Sequence, residues 1–380
     1  MNAALSGPAS VEPGRERGGS PDGLDRWWLR AAELSALAPR ALTAPQAAYR
    51  LGDATLEIAA DDPEVLESLQ QLYSECAIET GEVPAALRVR CSLDALDGLG
   101  LTLVRFEGAE GLDLAELALP LVQPRPDESH RVIALGASGW RALVGVAPDA
   151  VPVLAARGSC LLAETARLPA FFFRDYLLGA ALSVQRHVLF VHAASVAVHG
   201  RGALIVGRAG GGKTTLSLAL AARGHGLLGD DMAALRTESR ELLPFRRTVH
   251  IRSGLRDALV DEAIRRGRVA ETERAGARRL CAEPRGLFPD APAQPVRLRA
   301  AFFLRRFSRA PSLEPFVPSL DRIAALKTLP VRWSWGIAPG GRLLRFLRII
   351  RLLSEVPCWQ LDVGRPAETA SLMEAALEDL

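Results

Sequence analysis

Residues 203 to 223 read in order as a buried strand, a glycine-rich loop and a helix, and that succession leaves few folds open. Ala203-Leu204-Ile205-Val206 is a short apolar run, and Thr215 to Arg223 has helical character. Between them Gly207-Arg208-Ala209-Gly210-Gly211-Gly212-Lys213-Thr214 fits the phosphate-loop pattern G-x-x-x-x-G-K-[ST] in full. Glycines at these places let successive backbone N–H groups turn inward around a phosphate, where a Cβ would block the approach. The start of the helix adds partial positive charge. Gly207, Arg208, Ala209, Gly210, Gly211, Gly212, Lys213, Thr214 and Thr215 are therefore the expected nucleotide-binding set, with ATP and Mg²⁺ as cofactors. Lys213 would reach the β- and γ-phosphates, and the Thr214 hydroxyl would ligate the metal.

Basic residues sharpen that reading. Of 46 lysines and arginines only Lys213 and Lys327 are lysines, so a chain that otherwise uses arginine keeps a compact ammonium in the loop. A formal net charge of +2 gives no case for a nucleic-acid partner, and no apolar run is long enough for a transmembrane helix. The polar N-terminus lacks the apolar stretch of a signal peptide. Cys76, Cys91, Cys160, Cys281 and Cys358 are odd in number, widely spaced and without C-x-x-C, which points to reduced thiols in the cytoplasm.

Three segments are expected. Residues 1–24, rich in Gly, Pro, Ser and charge, read as disordered. Residues 25–150 read as a small α+β module, with strands at Ala54–Ala59, Leu87–Cys91, Leu101–Phe106, Arg131–Leu135 and Trp140–Val146. Its one clear helix starts at Asp62-Pro63 and carries Val65, Leu66, Leu69 and Leu72 as an apolar stripe. Substrate recognition, dimerisation and scaffolding are equally open roles for it, and a homo-oligomer is compatible with any of them. Residues 151–380 read as the α/β P-loop domain, with a buried helix over Pro169–Arg186 and a central strand at Ala300–Leu304. An arginine-bearing helix at Leu343–Leu353 and a terminal helix from Pro366 complete it.

Two further features fall around the loop. The predicted strand Val188–Val198 turns at His199-Gly200-Arg201-Gly202 into the strand before the loop, which sets His192 across from roughly Ala209. The helix is predicted to stop at Gly224, followed by a short strand that ends in Asp230-Asp231. Carboxyl ends of strands converge on the ligand crevice of an open α/β sheet, so these carboxylates face the same phosphates as Lys213. One is suited to holding Mg²⁺ and the other to accepting a proton from an incoming nucleophile.

Together these residues resemble the catalytic domain of HPr kinase/phosphorylase, a serine kinase acting on a carrier protein. That family places a histidine fifteen residues before the first loop glycine, as His192 precedes Gly207. It also carries G-H-x-L-x-x-D-D, matched by Gly224-His225-Gly226-Leu227-Leu228-Gly229-Asp230-Asp231, with the aspartates 17 and 18 residues after Lys213. The resemblance spans residues 188 to 235. It implies that Asp230 is the base that activates the acceptor hydroxyl, that Thr214 and Asp231 hold the metal, and that His192 supports the phosphate or the first aspartate. The family's later signature segment is not found. The chain therefore looks more like the HPr-kinase-related proteins that keep the kinase core, some of which phosphorylate a precursor peptide.

The resulting expectation is transfer of the γ-phosphoryl group of ATP to a hydroxyl, foremost a serine of a protein or peptide. A small-molecule kinase and a nucleotide-dependent switch or assembly ATPase are the alternatives. With Asn2 the only asparagine, both the N-K-x-D guanine signature and the H-R-D-x-x-x-x-N kinase loop are missing. Arg246 and Arg247, after Leu243-Pro244-Phe245, are candidates to contact the transferred phosphate or an acidic acceptor. The arginines at every third position from Arg342 to Arg351 read chiefly as the solvent face of a leucine-packed helix.

Overall fold

A computed structural model describes residues 46–60, 63–81, 87–94, 101–107, 130–135, 141–145, 152–157, 160–164, 181, 184–252, 258–267, 269–274, 277–318 and 339–380. The expected N-terminal segment 1–24, the Asp62 cap and nearly all of the helix expected over 169–186 lie outside these residues.

The first part of the chain builds a nine-stranded sheet. Its strands are β1 (Gln46–Leu51), β2 (Ala54–Ala60), β3 (Ala77–Ile78), β4 (Leu87–Asp94), β5 (Leu101–Glu107), β6 (His130–Leu135), β7 (Arg141–Gly145), β8 (Pro152–Arg157) and β9 (Cys160–Glu164), in the order β3-β1-β2-β4-β5-β9-β8-β7-β6. Helix α1 (Pro63–Tyr73) makes the crossover that allows β2 and β4 to run parallel. Its Leu69 and Tyr73 are buried, and the Tyr73 ring meets Tyr49 edge-on at 6.1 Å. Because β5 pairs with β9 and β9 with β8, this sheet continues past residue 150, the expected limit of the first module, as far as Glu164.

The second part is a mixed α/β layer structure. Its strands are β10 (Val188–Val191), β11 (Ala193–Val198), β12 (Arg201–Val206), β13 (Gly226–Gly229), β14 (Ala233–Arg236), β15 (Glu241–Leu243), β19 (Val296–Phe307), β20 (Ser312–Pro315) and β21 (Cys358–Val363). The small antiparallel sheet β16 (Val249–Arg252), β18 (Ala277–Ala282) and β17 (Ala270–Arg274) lies alongside. Strand β19 is central: β12 and β21 flank it in parallel, and its first residues pair with β15. Strand β11 is antiparallel to both β12 and β13, so β12, β13, β19 and β21 all end on one side of the sheet.

Helices cover both faces. Side chains of Val196, Ile205, Phe302 and Leu361 pack with helix α2 (Lys213–Ala222) through Leu216 and Leu220. The terminal helix α3 (Pro366–Glu378) adds Ala370, Met373 and Leu377 to that core. The opposite face, with Leu204, Ala301 and Phe303, packs on Ile349 and Leu353 of the helix Pro339–Ser354. Helix α2 ends as predicted. Gly224 adopts φ 91°, its N–H donates to the Ala221 carbonyl, and the His225 N–H donates to the Leu220 carbonyl. At its C-terminal end Glu374 of α3 accepts from Arg223 and His225 at 2.6 and 2.7 Å, tying the two helices together.

The expected continuous strand Val188–Val198 is corrected. It breaks at His192: β10 pairs with β14, and β11 pairs with β12 and β13. The turn into β12 is also tighter than predicted. His199 and Gly200, both at positive φ, form the two-residue connection between Val198 and Arg201. Ala193 then pairs with Val206, so His192 stands level with Gly207 and not with Ala209.

Buried ion pairs and hydrogen bonds hold the first sheet to the second part. Arg246 pairs with Glu75 at 2.6 Å with both side chains nearly enclosed, and Gln185 donates to the Leu51 carbonyl at 2.6 Å. Arg246 is thus committed to this junction and is not at the crevice. Cys76, Cys281 and Cys358 are free thiols, and burial pushes the Cys76 and Cys358 thiols up to about 12. Among the described residues no helix is long and apolar enough to cross a membrane.

Candidate active site

Local backbone geometry puts the loop at the end of β12. Gly210 and Gly212 take φ 78° and 101°, a region that a Cβ would strain, and Gly212 is the residue from which helix α2 starts. Arg208, Ala209 and Gly210 form the exposed crown, while Gly207 is buried against Leu304. Thr214 and Thr215 open the helix, half-buried.

Lys213 is 6% exposed and folded back on the loop, where its Nζ donates to the carbonyls of Gly207 at 2.8 Å and Arg208 at 3.3 Å. The same Nζ lies 3.3 Å from His192 Nε2. An ammonium has only donors, so His192 Nε2 accepts this bond and the ring proton resides on Nδ1. That Nδ1 donates to the Asp231 carbonyl at 2.9 Å and stands 3.3 Å from Asp231 Oδ1. His192, 7% exposed, sits at the break between β10, which pairs with β14, and β11, which pairs with β12 and β13.

The two aspartates sit in different surroundings. Strand β13 ends at Gly229, where a Cβ would come within 2.4 Å of the Met232 carbonyl, so the turn that carries the pair closes tightly. Asp230 points back toward the helix. Its Oδ2 accepts from Thr214 Oγ1 at 3.1 Å and its Oδ1 from Ser217 Oγ at 3.4 Å. Burial, with the Asp231 charge added, pushes the Asp230 carboxyl up to about 6, against the opposing pull of the Thr214 hydroxyl, Lys213 and Arg247. The Asp231 side chain, 57% exposed, stands beside His192 at the mouth of the crevice.

The structure therefore brings Lys213, Thr214, His192, Asp230 and Asp231 together, but it groups them differently from the resemblance. Thr214 is hydrogen-bonded to Asp230 and not to Asp231. Two adjacent aspartates on a turn project in different directions, and the first accepts from Thr214 and Ser217 of the helix. Hydroxyl and carboxylate oxygens at this spacing are the hard donors that Mg²⁺ takes alongside phosphate oxygens and water. Among the described residues no group of three or more His, Cys, Asp or Glu side chains is arranged to hold a metal ion. A metal here would need the nucleotide's oxygens as ligands too.

The sequence also left residues unmarked. The Arg252 guanidinium, at the end of β16, reaches within 3.6 Å of the point a Cβ on Gly210 would occupy, bringing positive charge over the crown. It comes from a different sheet, and no local pattern in Val249–Arg252 reports that approach. Phe307 lies against Gly212 in the same way. Arg247, one of the two arginines marked in the sequence, does act on the site electrostatically, through its attraction for the Asp230 carboxylate.

No protein-family model and no curated protein matches the chain. Among solved structures it is similar to the Hpr(Ser) kinase/phosphatase from Coxiella burnetii. The two share 17% identity over 50% of this chain and 94% of that one, with a TM-score of 0.26.

Proposed function

We propose that the protein is a P-loop phosphotransferase that moves the γ-phosphoryl group of ATP to a hydroxyl, with serine of a protein or peptide as the acceptor. The observation that carries this reading is the separation of two neighbouring carboxylates at one phosphate loop. One is half-buried with the Thr214 hydroxyl, and the other is open to solvent beside a histidine. A hydrolytic or switch site needs the first. An exposed carboxylate at the mouth has a use where a hydroxyl must lose a proton as it attacks.

In this reading Asp230 and Thr214 hold Mg²⁺, which when bound would neutralise charge on the phosphate oxygens. Asp231 accepts the acceptor's proton. This exchanges the roles that the resemblance implies, because metal-site geometry belongs to the carboxylate that already shares a hydrogen bond with Thr214. His192 orients Asp231 through Nδ1–H. Its Nε2 lies beside Lys213, whose ammonium leaves the Gly207 and Arg208 carbonyls for the β- and γ-phosphates when nucleotide enters. Arg252 over the crown opposes the charge that spreads on the transferred group. ATP as donor and a cytoplasmic setting go with this proposal.

The test is incubation of the purified chain with γ-³²P-labelled ATP, Mg²⁺ and a lysate of the source cells. Label in a protein or peptide, stable to acid and recovered as phosphoserine after partial hydrolysis, is the expected result. Label confined to the small-molecule fraction would make it a metabolite kinase. Vigorous phosphate release without any labelled product would make it a switch or assembly ATPase.

A further inference from the structure

The last residue of β19 is an aromatic side chain held in solvent. Phe307 is 64% exposed at the end of a strand whose other phenylalanines, Phe302 and Phe303, are almost fully enclosed. Strand alternation does not put it there. Ala300, Phe302 and Leu304 face the side of the sheet on which α2 packs, and Ala301 and Phe303 face the other. Continued regularly, that alternation would send Phe307 to the face away from the phosphate loop.

A bulge reverses it. Leu304 pairs with Leu361 and Phe307 with Val363, so three steps on β19 match two on β21. Phe307 and Val363 thereby share the α2 face, and the register is fastened by the Ser308 N–H donating to the Val363 carbonyl at 2.8 Å. Both residues inside the bulge are clamped. Arg305 grips Asp362 at 2.6 and 2.9 Å and Arg306 reaches the same carboxylate at 3.1 Å, with Asp362 itself 3% exposed. Asp362 and the two arginines thus fix the bulge that presents the phenyl ring, and Arg305 also ties it to Glu314 of β20. The ring lies beside the loop: Phe307 Cε1 and Val363 Cγ1 come within 3.6 and 3.8 Å of where a Cβ on Gly212 would stand.

Direction in the site says what this shelf meets. Asp230 and Asp231 follow β13, on the flank of β12 occupied by β11, and they mark the end of the triphosphate where transfer occurs. Strands β19 and β21 lie on the other flank. A triphosphate lying in the loop with its γ-phosphate at the carboxylates must send its nucleoside toward β19 and β21. There the ring of Phe307 and the methyls of Val363 offer a flat apolar surface just before the amides of Lys213 and Thr214. We propose that Phe307 is the nucleobase platform of this site, on which the adenine of ATP stacks while its phosphates occupy the loop. This rests on the phosphate-loop reading above. A base stacked on an aromatic ring gains enough affinity from it that loss of the ring should weaken nucleotide binding about tenfold.

Titration calorimetry of the full chain with Mg²⁺–ATP and, separately, with Mg²⁺–tripolyphosphate tests it. The wild type should bind ATP more tightly than tripolyphosphate. Phe307→Ala should lose about tenfold in affinity for ATP and nothing for tripolyphosphate, which also reports an intact loop. Phe307→Trp should keep the ATP affinity. A Phe307→Ala protein that binds ATP like the wild type, or that loses both ligands equally, overturns the platform and leaves the phosphate site standing. A wild type that binds neither ligand overturns the phosphate site, and the platform with it.

Discussion

Asp230→Asn should make the nucleotide-free protein more stable while removing its function. In the metal-free fold the Asp230 carboxyl is pushed from 3.8 up to about 6 by burial and by Asp231. A shift of about two units corresponds to roughly 3 kcal/mol of penalty for the ionised form. The folded value lies above the unfolded one. The group's favourable contribution is therefore present below about pH 4, is lost as pH rises toward 6, and above that stays lost. An asparagine keeps the oxygen that Thr214 donates to but brings an amide N–H₂ into the pocket, at a cost of about 1 kcal/mol. The net expectation at pH 8 in EDTA is a gain of about 2 kcal/mol, or roughly 4–8 °C in Tm for a domain of this size. Differential scanning calorimetry of both proteins from pH 4 to 8 reads it. The two curves should cross between about pH 4 and 5, the variant being the less stable below that, and separate in its favour by about pH 6. Saturating Mg²⁺–ATP should then raise the wild-type Tm and barely move that of the variant, because only a ligand that binds the native state stabilises it. Equal Tm values at every pH would refute the claim that the fold strains this carboxylate, whatever the variant's activity.

Three further outcomes are expected. Lys213→Ala should abolish phosphoryl transfer with the melting curve nearly unchanged, and Lys213→Arg should be almost as inactive, because the planar guanidinium does not fit between the Gly207 carbonyl and the His192 ring. A radiometric transfer assay beside a thermal melt checks both. Asp231→Asn should bind Mg²⁺–ATP normally by calorimetry yet lose kcat by 10²-fold or more, in the range expected for losing a general base; a raised Mg²⁺ requirement with kcat intact would return the metal to Asp231. Glu374→Gln should lower stability by about 2 kcal/mol at neutral pH. Burial alone would raise the Glu374 carboxyl, but hydrogen bonds from Arg223 and His225 outweigh it and hold it below its usual value. That contribution exists above the ordinary glutamate range and disappears as pH falls through the lowered value, so the variant and the wild type should melt alike in acid.

What the sequence disclosed, and what it withheld, divides along the range of the interactions. The glycine-rich turn from strand to helix, the cap at Gly224 and the strand before Asp230-Asp231 depend on neighbours within a few residues, and each is found where the pattern puts it. The proximity of His192 to Lys213 depends on one hairpin, and the spacing anticipated it to within two residues; a type I′ turn at His199-Gly200 accounts for the difference. The break at His192 was not legible, because Val188–Val198 is apolar on both sides of that residue but for Ser195, and its two halves are told apart only by their partners, β14 on one side and β12 on the other. Partner choice at the aspartates was hidden for a related reason. A matched spacing says that two carboxylates reach the crevice, but whether Thr214 meets the first or the second depends on the turn after Gly229, which the Met232 carbonyl closes. Arg246 shows the same limit from the other direction: beside Arg247 in sequence, it is drawn away by Glu75, some 170 residues earlier, while Arg247 stays near enough to act on Asp230. Phe307 was the least legible residue of all. Its alternation with Phe303 reads as ordinary core, and only a bulge on β19, fixed by a carboxylate on β21, turns the ring toward the loop. Local structure written in consecutive residues could be read directly, whereas contacts assembled by the pairing of distant strands had to be seen in the fold.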